Sequence, residues 1–225
     1  MVTGASSGIG RFIAETASNN GVEVIGLSRN TVEANFESIK CDITDPNAVK
    51  TIFKTLKRKT SFNCLINTAG IASMNLFLST PIEKMDEILK TNILGTMYCS
   101  QQALKIFARR KDSLHSSIIN FSTIAVPLSL KGESVYVASK GAVEAFSRSL
   151  AREASDFNCN VNVVSPGPVD TNLISKISEE KIQRIIDRQI IQNKATKEDI
   201  WNICNFLMSQ ESSSITGQIF NVKGA

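Results

Sequence analysis

The sequence predicts an α/β fold, a single doubly wound parallel sheet of about seven strands with helices on both faces, spanning residues 1–225 as one domain. Three observations predict it. Short apolar segments alternate with segments of helical period along the whole chain. No internal repeat, low-complexity tract or Pro/Gly-rich linker interrupts that alternation. With 42% hydrophobic and 20% charged residues, 225 residues can bury one large core, which excludes disorder as the main state.

The apolar segments run, in order, over Met1 to Thr3, Val22 to Leu27, Phe36 to Lys40, Asn63 to Asn67, Ser117 to Ser122, Asn160 to Ser165 and Gln218 to Val222. Each reads as a strand buried on both faces. The first helix is expected over Ile9 to Asn19, closed by Gly21. The second covers Pro46 to Lys57, with Asp45 as N-cap and Pro46 at the first helical position. A long helix follows from about Ile82 to Arg109, and further helices cover Glu133 to Ser155, Glu179 to Gln192 and Lys197 to Met208. Right-handed strand–helix–strand crossovers then give a parallel sheet whose ligands sit at the C-terminal strand ends.

Composition narrows the chemistry. No apolar run approaches the roughly 20 residues that cross a bilayer, and MVTGASSGIG lacks a signal peptide's pattern, so a cytoplasmic protein without membrane contact is expected. The five cysteines, Cys41, Cys64, Cys99, Cys159 and Cys204, are odd in number and contain no C-x-x-C pair, which suits buried reduced thiols. The net charge of +4 is dispersed; its densest clusters, Lys57 to Lys59 and Arg109 to Lys111, fall at expected helix C-termini, where cations complement the dipole, and no nucleic-acid partner is expected. His115 is the single histidine, which removes Ser-His-Asp, Cys-His and multi-histidine metal sites.

Two features carry chemistry. After the first strand, TGASSGIG places Gly4, Gly8 and Gly10 in a turn that opens a helix, where the backbone can approach a phosphate and helix N–H groups can hold it. A tight turn needing positive φ is the plainer alternative. In ESVYVASKGAVEAF, Tyr136 and Lys140 lie four residues apart and share a helix face, so an ammonium can stabilise a phenolate whose unperturbed pKa is about 10. By itself that spacing also describes a solvated helix face. Asn92 is the one amide in an otherwise apolar or small stripe, a structural hydrogen-bonding residue or a functional one. Asn67 ends the fourth strand as a turn residue, and Asp42 follows the third beside the Asp45 cap.

The joint order of TGASSGIG, CDITD, LINTAG, TNILG, IINFST, YVASK, VVSPGPVDT and SSSITGQIFNVKGA resembles the short-chain dehydrogenase/reductase family, its ketoacyl reductases in particular, over essentially the whole chain. The resemblance implies a Rossmann-type sheet binding NAD(H) or NADP(H), with hydride transfer between nicotinamide and a small-molecule carbonyl or secondary alcohol. It implies Tyr136 as general acid/base and Lys140 as the residue that lowers its pKa and binds the nicotinamide ribose. It implies that Asn92 holds a water in a proton relay. Thr123, thirteen residues before Tyr136, stands where the family commonly has its catalytic serine, with Ser122 preceding it. The expected cofactor-binding residues are Gly4, Ser6, Ser7, Gly8, Ile9 and Gly10 in the turn; Ser28, Arg29, Asp42 and Ile43 beside the adenosine; and Asn67, Ala69, Gly70, Tyr136, Lys140, Pro166, Gly167, Val169 and Thr171 along the rest of the cofactor. Thr68 replaces the family's usual second Asn in LINTAG, which puts the stabilising network there in question. At the end of the second strand Ser28 stands where an acidic residue would accept the ribose 2′-OH, and Arg29 follows it, so NADP(H) is favoured over NAD(H). No metal is expected, and the likeness implies a homodimer or homotetramer. A catalytically weak dinucleotide-binding or sensor protein is the alternative function on the same fold.

Overall fold

In a computed structural model that describes residues 1–59, 62–110, 114–171, 173–175 and 177–225, seven parallel strands form one sheet in the order β3-β2-β1-β4-β5-β6-β7. They are β1 (Val2–Thr3), β2 (Ile25–Ser28), β3 (Glu37–Lys40), β4 (Cys64–Asn67), β5 (Ser116–Phe121), β6 (Cys159–Ser165) and β7 (Ile219–Asn221). All seven expected strands are present. The two at the sheet edges depart from burial on both faces: β3 and β7 are only partly covered, because each has a neighbour on one side only.

Helices α2 (Pro46–Lys59), α4 (Thr96–Phe107) and α6 (Ser134–Ala154) cover one face through Val49, Phe53, Leu56, Cys99, Ala103, Phe107, Leu150 and Ala154. Helices α1 (Gly8–Asn19) and α8 (Lys197–Met208) cover the other through Ile13, Ala14, Ala17, Ile200, Trp201, Cys204 and Leu207. The caps follow local chemistry. Asp45 accepts from the Asn47 and Ala48 N–H groups ahead of α2, and Thr196 with Asp199 forms a reciprocal capping box on α8. Helix α7 (Glu179–Ile186) stops before the expected Gln192, because the Gln189 amide folds back to donate to the carbonyls of Ile191 and Asn193.

The expected long helix over residues 82–109 is α3 (Ile82–Leu89), a π-helical turn at Lys90–Gly95 and α4 in continuous succession. Gly95 permits that turn to press on Ile43, whose Cδ1 would lie 2.6 Å from a Cβ there. A short α5 (Ala125–Leu128), not foreseen, follows β5. All five cysteines are buried and free. No metal-binding cluster occurs among the described residues, and none of the described helices is long and apolar enough to cross a membrane. The side chains of Lys57 to Lys59 and all of Lys111, invoked for charge at helix ends, lie outside the described residues.

Chain reversal between β1 and β4 opens the crevice at the C-terminal strand ends, and β2 packs tightly beside it. A Cβ on Gly26 in β2 would lie 2.4 Å from the Phe36 ring and 2.7 Å from the Ala5 Cβ. Gly26→Ala is therefore expected to cost about 1–3 kcal/mol through overpacking, read as a lower urea midpoint at unchanged m-value.

Candidate active site

The glycine turn is built by close approach. Gly4 and Gly8 have φ of +70° and +59°, where a side chain is strained. Gly10 has no room for one, since a Cβ there would lie 2.2 Å from Thr68 Oγ1 and 2.6 Å from the Gly4 carbonyl oxygen. Thr68 Oγ1 donates to the Thr3 carbonyl, and Thr3 Oγ1 accepts from the Ala69 N–H at 3.3 Å. Thr68 thus supplies a network of its own where an Asn was missed, tying β1 to β4 directly above the α1 N-terminus. No side chain caps the first turn of α1. Its N–H groups and the dipole remain available to an anion.

From that turn a groove of about 740 Å³ extends past Ser28, Arg29, Asp42, Ile43, Ala69 and Gly70, and it also holds Ser6, Ser7, Gly8, Ile9 and Thr171. Lys90 and Thr91 of the π turn line it too, which the sequence did not indicate. Asp42 accepts from the Thr44 N–H and hydroxyl at 2.9 and 2.8 Å. Burial raises its pKa, but those bonds, with Arg29 and Lys90 nearby, outweigh it and leave the carboxyl below the ordinary range. Ser28 Oγ donates to the Asn30 carbonyl, and Arg29 is exposed. Asn67 is a correction. Strand alternation turns its side chain away from the groove toward α4, where Nδ2 donates to Ser100 Oγ and Asn120 Oδ1.

A second cavity, of about 130 Å³, adjoins the groove at Ile9, Thr68, Gly70, Thr171 and Leu173. Thr123, Tyr136 and Lys140 line it together with Pro166, Gly167 and Val169. Thr123 sits on the turn between β5 and α5, and its side chain shares a hydrogen bond with the Tyr136 phenol. Ser122 points the other way, donating to the buried Glu144 carboxylate at 2.6 Å. Of the two adjacent hydroxyls, Thr123 faces the phenol.

A family model described as enoyl-(acyl carrier protein) reductase matches residues 4–224. The chain belongs to the short-chain dehydrogenase/reductase family. It is 30% identical to the 3-oxoacyl-[acyl-carrier-protein] reductase FabG of Escherichia coli K12, covering 100% of this chain and 95% of that protein. It is 31% identical to FabG of Staphylococcus aureus Mu50, covering 100% and 96%. Among solved structures, the ligand-free aldohexose dehydrogenase of Thermoplasma acidophilum superposes with a TM-score of 0.88 at 32% identity over 98% of this chain and 90% of that one. A 4-hydroxyisoleucine dehydrogenase complexed with NADH shares the fold, at a TM-score of 0.90 and 24% identity over 100% and 96%. The protein is a nicotinamide-dependent oxidoreductase acting on carbonyl and alcohol groups.

Within this dehydrogenase/reductase, Asn92 occupies the π turn and its amide is fully engaged. Oδ1 accepts from the Ile71 N–H at 2.9 Å, while Nδ2 donates to the Ile71 carbonyl and to Ser139 Oγ, both at 2.9 Å. The side chain clamps the loop after β4 to α6. Ser139 in turn donates to the Tyr136 carbonyl. Lys140 Nζ donates to the Phe121 carbonyl at 2.9 Å and lies beside Gly70; burial lowers its pKa to about 8. Burial and then the charge of Glu133 raise the pKa of Tyr136, which the Thr123 hydrogen bond lowers. Lys140 and Tyr136 line the same cavity from one helix. Glu133, three residues before Tyr136 and just ahead of α6, was not singled out by sequence reasoning.

The two hydroxyls separate experimentally. Ser122→Ala leaves Glu144 buried without its donor and is expected to destabilise the fold by about 1–3 kcal/mol, measured by denaturant unfolding.

Proposed function

We propose that the protein transfers a hydride between NADP(H) and a ketone or secondary alcohol, with Tyr136 as the acid/base, Thr123 as the second hydroxyl on the substrate oxygen, and Lys140 beside the ribose. The observation that carries it is the meeting of a glycine-lined groove with an apolar cavity at the Tyr136–Thr123 pair. The uncapped α1 N-terminus and the Gly10 contact fit a pyrophosphate, which needs backbone donors and an absence of side chains. Gly4, Ser6, Ser7, Gly8 and Ile9 would hold it, and Pro166, Gly167, Val169 and Thr171 would flank the nicotinamide. When bound, the nicotinamide supplies or accepts the hydride.

The chain's own part is proton handling and placement. In reduction the Tyr136 phenol gives its proton to the substrate oxygen, and its raised pKa keeps that proton in place until negative charge develops there. Thr123 orients the same oxygen from the β5 side, its methyl and stiff χ1 narrowing the permitted angle. Asn92 holds the Gly70–Ile71 backbone, and so one wall of the site, in position. A role as a sensor without catalysis does not require this convergence. The whole chain acts as one cofactor-binding unit, and the family likeness supports a cytoplasmic homodimer or homotetramer.

Preference for NADP(H) is supported by the absence of an acid at the end of β2 and by exposed Arg29 at the groove's edge. NADPH is expected to bind at least about tenfold tighter than NADH, about 1.4 kcal/mol. Arg29→Ala should erase most of that gap without weakening NADH; equal affinities in the unaltered protein overturn the preference.

The catalytic assignment is tested by following NADPH oxidation with a ketone panel. Tyr136→Phe is expected to lower kcat by about 10²-fold to 10⁴-fold while cofactor binding persists. Thr123→Val should lose activity with little loss of stability, whereas Thr123→Ser should be tolerated. A Tyr136→Phe protein retaining more than about a tenth of kcat removes Tyr136 from the role.

A further inference from the structure

Among the described residues, Glu133 is the one carboxylic acid lining the apolar cavity. It is 7% exposed and immediately precedes α6, yet its side chain caps nothing. Among the described residues no hydrogen bond or ion pair engages the carboxyl. Around the same space lie Leu130, Ile174, Ile177, Ile182 and Ile185, which offer it neither donor nor charge. The titratable groups around it are Tyr136 and Lys140, which line the same cavity from α6, and Lys181, on the exposed side of α7, which attracts it without closing an ion pair.

A carboxyl kept without a partner in apolar surroundings is costly whether it is ionised or neutral. Here burial raises its pKa to about 7, with Lys181 offsetting only part of that effect. A ligand bearing the opposite charge would remove the cost, and the cavity is where the substrate binds under the function proposed above. We propose that Glu133 selects the substrate, favouring ketones and secondary alcohols that carry a positively charged nitrogen on a compact apolar frame. Glu133, immediately before α6, and Tyr136, in its first turn, line the same cavity, so one compact substrate can meet the carboxylate at one end and the phenol at the other. The pairing also acts on the phenol. Ionised Glu133 raises the pKa of Tyr136, and a bound cation offsets that charge, easing proton release as the substrate enters.

The test compares two ketones of the same shape, the permanently charged 1,1-dimethyl-4-oxopiperidinium ion and neutral 4,4-dimethylcyclohexanone, with the cofactor-loaded protein. The ratio of kcat/KM, charged over neutral, is expected to exceed about tenfold and to fall toward one in Glu133→Gln. Because the acid must ionise to pair, kcat/KM for the charged ketone should rise with pH through about 7, the Glu133 value. The neutral ketone, and either ketone with Glu133→Gln, should lack that rise. Binding of the charged ketone, followed by ligand-observed NMR, provides a readout independent of turnover. If both ketones are turned over with a ratio near one, or the ratio survives Glu133→Gln, the selection by Glu133 is overturned while the oxidoreductase assignment stands. If neither is turned over but the cation binds in a Glu133-dependent way, the catalytic assignment fails and the recognition by Glu133 stands. Absence of both turnover and Glu133-dependent binding overturns the recognition. Should Glu133→Gln fail to fold, the ratio and pH profile of the unaltered protein decide, a ratio near one or a missing rise being fatal.

Discussion

Everything in this molecule depends on how closely the first turn of α1 can approach the end of β4. Thr68 Oγ1 occupies the place that a side chain on Gly10 would need, and it hydrogen-bonds the Thr3 carbonyl as it does so. This contact joins the two strands between which the sheet order reverses, the place where parallel sheets bind their ligands. It also aims the uncapped helix N-terminus into the groove. A larger residue at position 10 would push α1 away from the sheet and take the anion-binding groups with it.

The second support is the Asn92 clamp. A regular α-helix satisfies its own backbone, and the π turn at Lys90–Gly95 interrupts that pattern within one continuous helical segment. Thr96 Oγ1 donates to the Asn92 carbonyl inside the interruption, while the Asn92 amide binds both polar groups of Ile71 and the hydroxyl of Ser139. One buried amide therefore fixes the loop after β4 relative to the helix that carries Tyr136 and Lys140. Both walls of the site inherit their spacing from it. Lys140 completes the arrangement by reaching to the Phe121 carbonyl, so that β5, α6 and the Gly70 loop meet at one ammonium.

Electrostatics in the cavity follow from burial more than from ion pairing. Tyr136 and Glu133 are both raised and Lys140 is lowered, in each case chiefly because the charged form loses water. All three neutral forms are favoured, which keeps the phenol protonated for donation and brings the lysine into the range where it can exchange a proton near neutral pH. Arg29 and Asp42, at the open end of the groove, are exposed.

The sequence alone determined the order and kind of the elements, because buried parallel strands and amphipathic helices have periods that can be read locally, and Asp45, Pro46 and Gly21 mark ends among them. It also determined the glycine turn and the Tyr136–Lys140 pair, since spacing on one helix fixes a shared face. Only the tertiary structure decided which of two adjacent hydroxyls meets the phenol: strand geometry sends Ser122 to Glu144 and Thr123 to Tyr136. It alone turned Asn67 out of the groove and Asn92 into a clamp, for an amide's partners come from segments distant in the chain. Glu133 shows the same limit. Its neighbours Ile174, Ile182 and Ile185 arrive from a segment some 40 to 50 residues later in the sequence, so its isolation in an apolar cavity is a property of packing that no local pattern encodes.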